Sequence, residues 1–182
     1  MAPIVAAADT MATTHDTTSA SDTVIENRRH HFFNLSPNGQ SAAHVEYTNG
    51  NAVIMVKTPT AAKRISAGQI NVSEMHWIND EQIVFASNGQ LRLLNKDGSG
   101  YRVLLDNLHY KEDGKFKRVA LFANHQKDWS VINPLHHQPN TILVGAKDVK
   151  KRAYIYELNT KTGFLKTLAN GKDNDVNEWM VA

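Results

Sequence analysis

From Phe32 onward the chain is a succession of short apolar runs rich in β-branched and aromatic residues, and no segment holds a 3.6-residue period for three turns. The pattern predicts an all-β protein. Strands are expected over residues 42–47, 52–57, 74–78, 82–86, 90–95, 101–105, 129–132, 141–146, 153–158 and 165–168. The breaks between them carry turn chemistry: Asn49-Gly50 and Asn88-Gly89 supply the two positive φ values of a type I′ hairpin, and Asp97-Gly98 and Thr162-Gly163 suit longer loops. Successive strands are therefore expected to be antiparallel neighbours.

The same order of events recurs. An aromatic opens each unit, Phe33, then Trp77, Trp129 and Trp179, with Trp-to-Trp intervals of 52 and 50 residues. After Trp77 come IVFA, a turn, LRLLN, the loop KDGSG and YRVLL; after Trp129 come ILVGA, a turn, YIYELN, the loop TKTG and FLKTL. The first unit reads FFNLSPNGQ, AAHVEY, TNGN, AVIMVK and KRIS. Four strands joined as a meander make a propeller blade. The expected fold is thus all-β, about three four-stranded antiparallel blades of an incomplete β-propeller, at residues 32–70, 74–106 and 129–170, with a fourth starting at 176–182. Stacked blades cover both faces of each sheet, which suits the unbroken apolar runs Val53-Ile54-Met55-Val56, Ile83-Val84-Phe85 and Ile142-Leu143-Val144. The stretch 106–128 is irregular and mixed in charge, with one candidate strand at 119–122, and reads as a solvated loop or an inter-blade insertion.

Residues 1–27 differ in kind. Positions 9–24 are rich in Thr, Ser, Asp and Ala without periodicity and are expected to be a flexible leader. Ala6-Ala7-Ala8 before Asp9 has the small-x-small character of a signal-peptidase site, but no Lys or Arg occurs before Arg28. The leader is either the remnant of a longer export signal, giving a periplasmic or secreted protein, or an Ala-rich tip on a cytoplasmic one. Twenty basic against 18 acidic residues give a net charge of +2, with no long run of either sign, so neither nucleic acid nor an anionic membrane is an expected partner, and no segment is apolar enough to span a membrane. The absence of cysteine excludes disulfides, thiolate metal sites and a cysteine nucleophile.

Four segments in order resemble the N-terminal propeller of prolyl-oligopeptidase-family serine peptidases, in particular bacterial dipeptidyl or acyl aminopeptidase-like members. Leu35-Ser36-Pro37-Asn38-Gly39 resembles the SP(D/N)G turn that opens propeller blades, and Trp77-Ile78-Asn79-Asp80-Glu81-Gln82-Ile83-Val84-Phe85 resembles the W.(N/D)DE.(I/L)VF segment. Asn95-Lys96-Asp97-Gly98-Ser99-Gly100 is similar to N.DGSG, and Asn133-Pro134-Leu135 through Ile142-Leu143-Val144 to DPLPDDPDHVLV, with Asn133 and His136-His137 in place of the usual acidic residues. The resemblance spans roughly residues 32–182. It implies a propeller that caps an α/β-hydrolase domain and gates peptide substrates in the full-length parent. The alternative is a stand-alone TolB-like module that binds a protein partner. Bare blade faces are expected to favour self-association.

No catalytic, cofactor-binding or metal-ligating residue is assigned. A nucleophile elbow needs Gly-x-Ser-x-Gly on a strand-to-helix turn, and the nearest approximations, Gly39-Gln40-Ser41-Ala42-Ala43 and Gly98-Ser99-Gly100, fail that spacing or context. His30-His31 and His136-His137 lack HxH or HxxxH partners, and adjacent strand residues point to opposite faces. Glu74, Asp80 and Glu81 are read as a solvated blade turn, although the resemblance implies that glutamates can hold a peptide amino terminus. Arg28-Arg29-His30-His31 is too short for a nucleic-acid patch, and Lys147 to Arg152 is read as a basic hairpin turn that discourages edge pairing.

Overall fold

The computed structural model describes residues 31–107, 109–118, 128–148 and 150–171. The expected leader, the candidate strand at 119–122 and the unit opening at Trp179 lie outside them. The described residues contain no helix, hence none long and apolar enough to cross a membrane.

The fold is all-β. Strands β1 (His31–Leu35), β2 (Ala42–Thr48), β3 (Asn51–Lys57) and β4 (Ala62–Gly68) form a first antiparallel meander. A second is built from β5 (Val72–Trp77), β6 (Gln82–Ser87), β7 (Gln90–Asn95) and β8 (Arg102–Leu105). A third meander contains β11 (Asp128–Asn133), β12 (Thr141–Lys147), β13 (Ala153–Asn159) and β14 (Phe164–Asn170). The Asn-Gly turns behave as their chemistry requires: φ is 51° and 77° at Asn49-Gly50 and 51° and 72° at Asn88-Gly89.

The second sheet lies between the other two, and period-2 alternation divides its side chains between them. Ile83, Phe85 and Leu94 join Met75 and Trp77 in a core shared with Ala43, Val45, Ile54 and Val56 of the first sheet. Val84, Ala86, Leu91 and Leu93 face the other way, into a core with Trp129, Val131, Ile142, Val144, Tyr156 and Leu158 of the third. This is the stacking of propeller blades.

Three features depart from the sequence expectation. The stretch after Asp106 is not merely irregular: β9 (His109–Glu112) and β10 (Lys115–Arg118) form a hairpin whose first strand pairs in parallel with β14, making the third sheet six-stranded in the order β10-β9-β14-β13-β12-β11. Its turn is Asp113-Gly114, at φ 46° and 77°. Asp113 also clamps the strand it joins, with Oδ1 accepting from the Thr167 amide at 2.8 Å and Oδ2 from its hydroxyl at 2.7 Å.

Phe33 does not anchor a blade as the two buried tryptophans do. It is 64% exposed, on the face of the first sheet turned from the second, and its ring stacks on His44. The even tryptophan spacing is also not a structural register. Trp77 pairs with Ile83 beside the turn that ends β5, whereas Trp129 pairs with Ala146 at the opposite end of its strand. Both pack on the preceding sheet, so the shared property is burial rather than position.

Candidate functional site

In each meander the first and third turns lie at the same end, and hydrogen bonds stitch these turns from sheet to sheet into a continuous rim. The first rim turn, Ser36 to Ser41, is closed by the Ser36 and Gly39 amides on the Ser41 and Ser36 carbonyls, both at 2.8 Å, while the Asn38 side chain accepts from Ser36 Oγ and the Gln40 amide. Ser, Pro, Asn and Gly occur here because each favours a tight turn in its own way: Pro37 by its fixed φ, Asn38 by its side-chain acceptor, and Gly39 by its φ of 71°. The Asn38 amide donates to Asp80 Oδ1 of the second sheet at 2.9 Å. From the third sheet, His136 Nδ1 lies 3.3 Å from the carbonyl of Ile78. On the outer side, Lys63 Nζ donates to the Asp97 carbonyl at 3.3 Å, and the Arg102 guanidinium to the carbonyls of Thr160 and Lys161.

Within this rim, Asn79, Asp80, Glu81, Gln82, Asn95, Lys96 and Asp97 line a polar cleft of about 760 Å³. Its groups hold one another in place. Glu81 Oε1 meets Lys96 Nζ at 2.6 Å, and Gln82 Nε2 donates to Asn95 Oδ1 at 3.1 Å. The Ser99 hydroxyl and amide both donate to Asp97 Oδ1, at 2.6 and 2.9 Å, and these bonds hold the Asp97 carboxyl below its ordinary value. The cleft therefore presents fixed carboxylates and amides that can bind a cationic or hydrogen-bonding group.

The three carboxylates singled out in the sequence do not form one cluster. Asp80 and Glu81 sit in the rim turn as expected, but Glu74 lies within β5, where Oε1 accepts the Val131 amide at 2.7 Å and Oε2 stands 3.5 Å from His76 Nε2. Glu74 thus joins the second sheet to the third. Of the paired histidines, His136 turns to the neighbouring sheet while exposed His137 contacts Gln138, and His31 packs edge-on against Tyr47; His30 lies outside the described residues. Among the described residues no group of three His, Asp or Glu side chains could hold a metal, and no hydrogen bond joins a serine to a histidine.

Two polar clusters escaped the sequence reading. In the Lys147 to Arg152 loop, Asp148 is buried, 4% exposed, beneath the basic residues it organises. Oδ1 accepts the amides of Lys150 and Arg152 at 2.9 and 3.1 Å, and Oδ2 accepts Arg152 Nε and its terminal nitrogen at 2.9 and 2.6 Å and the Tyr154 hydroxyl at 3.1 Å. Burial pushes the Asp148 carboxyl up, but the hydrogen bonds from Arg152 and Tyr154 outweigh it and leave the carboxyl below its ordinary value. Burial, then the Asp148 carboxylate, push the Tyr154 phenol up to about 12. The only sequence signal was an acid alone among four bases. On the first sheet, His44 Nε2 and Arg64 contact the buried Glu46 carboxylate at 3.2 and 3.3 Å, and the alternation in AHVEY already placed His44 and Glu46 on one face.

No protein-family model matches the sequence, and no curated protein matches it. Among solved structures, the chain is similar to a puromycin-hydrolysing peptidase of Mycobacterium tuberculosis, at 11% identity and a TM-score of 0.40, over 78% of this chain and 29% of that one. The chain therefore spans less than a third of that peptidase's length.

Proposed function

We propose that the three sheets are blades of a propeller belonging to a larger serine peptidase of the prolyl-oligopeptidase type, and that their role is to gate peptides rather than to cleave them. The observation that carries this reading is the character of the outward faces. Val53 and Met55 on the first sheet, and Ile132, Leu143 and Ile155 on the third, face away from the second sheet and are only half-buried. A closed stack would need such residues on its terminal sheets, whereas an isolated three-layer protein gains nothing from them. The four motif segments in family order supply the peptidase attribution. In that setting the stitched rim turns, with Asp80, Glu81 and Asp97 at one cleft, are the surface that incoming peptides meet.

Reading the gene in frame beyond codon 182 tests the reading. The expected outcome is further four-stranded units followed by a Gly-x-Ser-x-Gly elbow in an α/β-hydrolase context. A frame without a hydrolase module overturns the peptidase assignment and leaves a partner-binding propeller module. Hydrolysis of chromogenic peptides by the 182-residue chain itself would overturn the gating role.

A further inference from the structure

Asn-Gly occurs four times in the chain, at residues 38–39, 49–50, 88–89 and 170–171. Such a pair carries a reaction as well as a turn preference, because glycine has no side chain to screen its backbone nitrogen from the asparagine before it. The nitrogen loses its proton and attacks Asn Cγ; the N–Cγ bond forms, the Cγ–Nδ2 bond breaks and ammonia leaves. Water then opens the five-membered succinimide at either carbonyl, giving aspartate or isoaspartate, with no change of oxidation state. We infer that Asn49 is the site of this modification in the folded protein, and that the fold shields the other three asparagines. The inference is independent of the peptidase attribution.

Ring closure swings the glycine nitrogen toward the asparagine side chain, so the pair must be free to leave its resting turn. Asn49-Gly50 meets that condition. Both residues are exposed, and no described residue hydrogen-bonds the Asn49 side chain or the Gly50 amide. A Cβ on Gly50 would meet nothing within 4 Å, and Asn51 Nδ2 reaches the Asn49 carbonyl only at 3.4 Å.

Each of the other pairs lacks this freedom for its own reason. At 38–39 both reacting groups are engaged: the Gly39 amide donates to the Ser36 carbonyl at 2.8 Å, and Asn38 Oδ1 accepts from Ser36 Oγ and the Gln40 amide. At 170–171, Asn170 is held in β14 opposite Tyr154 and Gly171 is buried. Asn88-Gly89 forms the same kind of turn as Asn49-Gly50, but a Cβ on Gly89 would stand 3.1 Å from Asp128 Oδ1 and 3.2 Å from Asn107 Nδ2. Those side chains obstruct rotation of the turn, and the Asp128 carboxylate opposes loss of the amide proton. Isoaspartate at position 49 lengthens the backbone of a two-residue turn by one carbon, against the Thr48↔Asn51 pairing. It does so two residues from Tyr47, whose hydroxyl ties the first sheet to the second by accepting the Val72 amide at 3.0 Å.

Ageing the folded chain at mildly alkaline pH, with each product located by fragment-ion mass spectrometry, tests the inference against the urea-unfolded chain. Unfolded, the four sites should convert at similar rates, since the chemistry is local. Folded, Asn49 should convert several-fold faster than Asn88 and at least an order of magnitude faster than Asn38 and Asn170, where the structure must first open. Folded-state conversion of Asn49 no faster than that of any other site, or none at all, overturns the inference. Asn107→Ala/Asp128→Ala should raise Asn88 toward the Asn49 rate while Asn38 stays slow, which also reports that the variant is folded. An unchanged Asn88 rate overturns the account of its protection, and a rise at all four sites together overturns it equally, because loss of the fold then explains the change.

Discussion

The second and first sheets are built to the same meander plan yet use their apolar residues differently. In the second, Ile83, Val84, Phe85 and Ala86 are all at most 2% exposed, because successive side chains enter two different cores. In the first, the run Val53-Ile54-Met55-Val56 looks as continuous, but only Ile54 and Val56 are buried against a neighbour. An unbroken apolar run thus states how many faces a strand is made to cover. How many are covered depends on what lies beside it.

The largest effect should come from Phe85→Ala, which leaves a cavity between the first and second sheets and is expected to cost about 3–5 kcal/mol in urea unfolding. Met55→Ala, equally apolar but on the outward face, should cost under about 1 kcal/mol; equal losses would mean that the outward face is covered too, and would end the contrast. Asp148→Ala comes second, at about 2–3 kcal/mol, since it removes the buried acceptor shared by the Lys150 and Arg152 amides, the Arg152 guanidinium and the Tyr154 hydroxyl.

Titration separates the charges of that same loop. Asp148 is depressed from its ordinary 3.8, so its stabilisation is complete above that value and is lost as pH falls further, through the folded-state value. Tyr154 moves the opposite way, from 10.0 to about 12, so its contribution is complete below pH 10 and is lost as pH rises toward 12. Melting temperatures against pH should show the acid drop flattened in Asp148→Asn and the alkaline drop flattened in Tyr154→Phe; unchanged profiles would refute the assignment. Asp113→Ala should cost about 1 kcal/mol and speed hydrogen exchange at the Thr167 amide, leaving exchange in the second sheet unaltered. Lys96→Ala, which removes an exposed ion pair with Glu81, should change stability by less than about 0.5 kcal/mol.

Most of the strand order was legible because local chemistry dictates it: Asn-Gly can turn where few other pairs can, and β-branched runs between such turns have few alternatives to a sheet. The β9–β10 hairpin was missed although Asp113-Gly114 is the same kind of signal, because its flanks are charged and short and its stability comes from pairing with β14, far along the chain. Phe33 and the tryptophan spacing misled for a related reason. An interval counts residues and does not say where in its strand an aromatic falls: Trp77 is the last residue of β5, whereas Trp129 is the second of β11. The Asp148 clamp was hidden by its basic neighbours, and only the backbone path of the loop brings five donors onto one carboxylate. The rim turns were readable individually, but their stitching across sheets was not.

Nearly every strand pairing joins neighbours in sequence, so each meander can form as soon as its own residues have left the ribosome. The Asp113 clamp on Thr167 is different: it closes a loop of 54 residues and must wait for the whole third meander. Loop-closure entropy of that kind is met only after the local sheets exist. The β9–β10 hairpin should therefore be the last piece to dock in folding and the first to detach under load, a slow latch on an otherwise locally assembled stack.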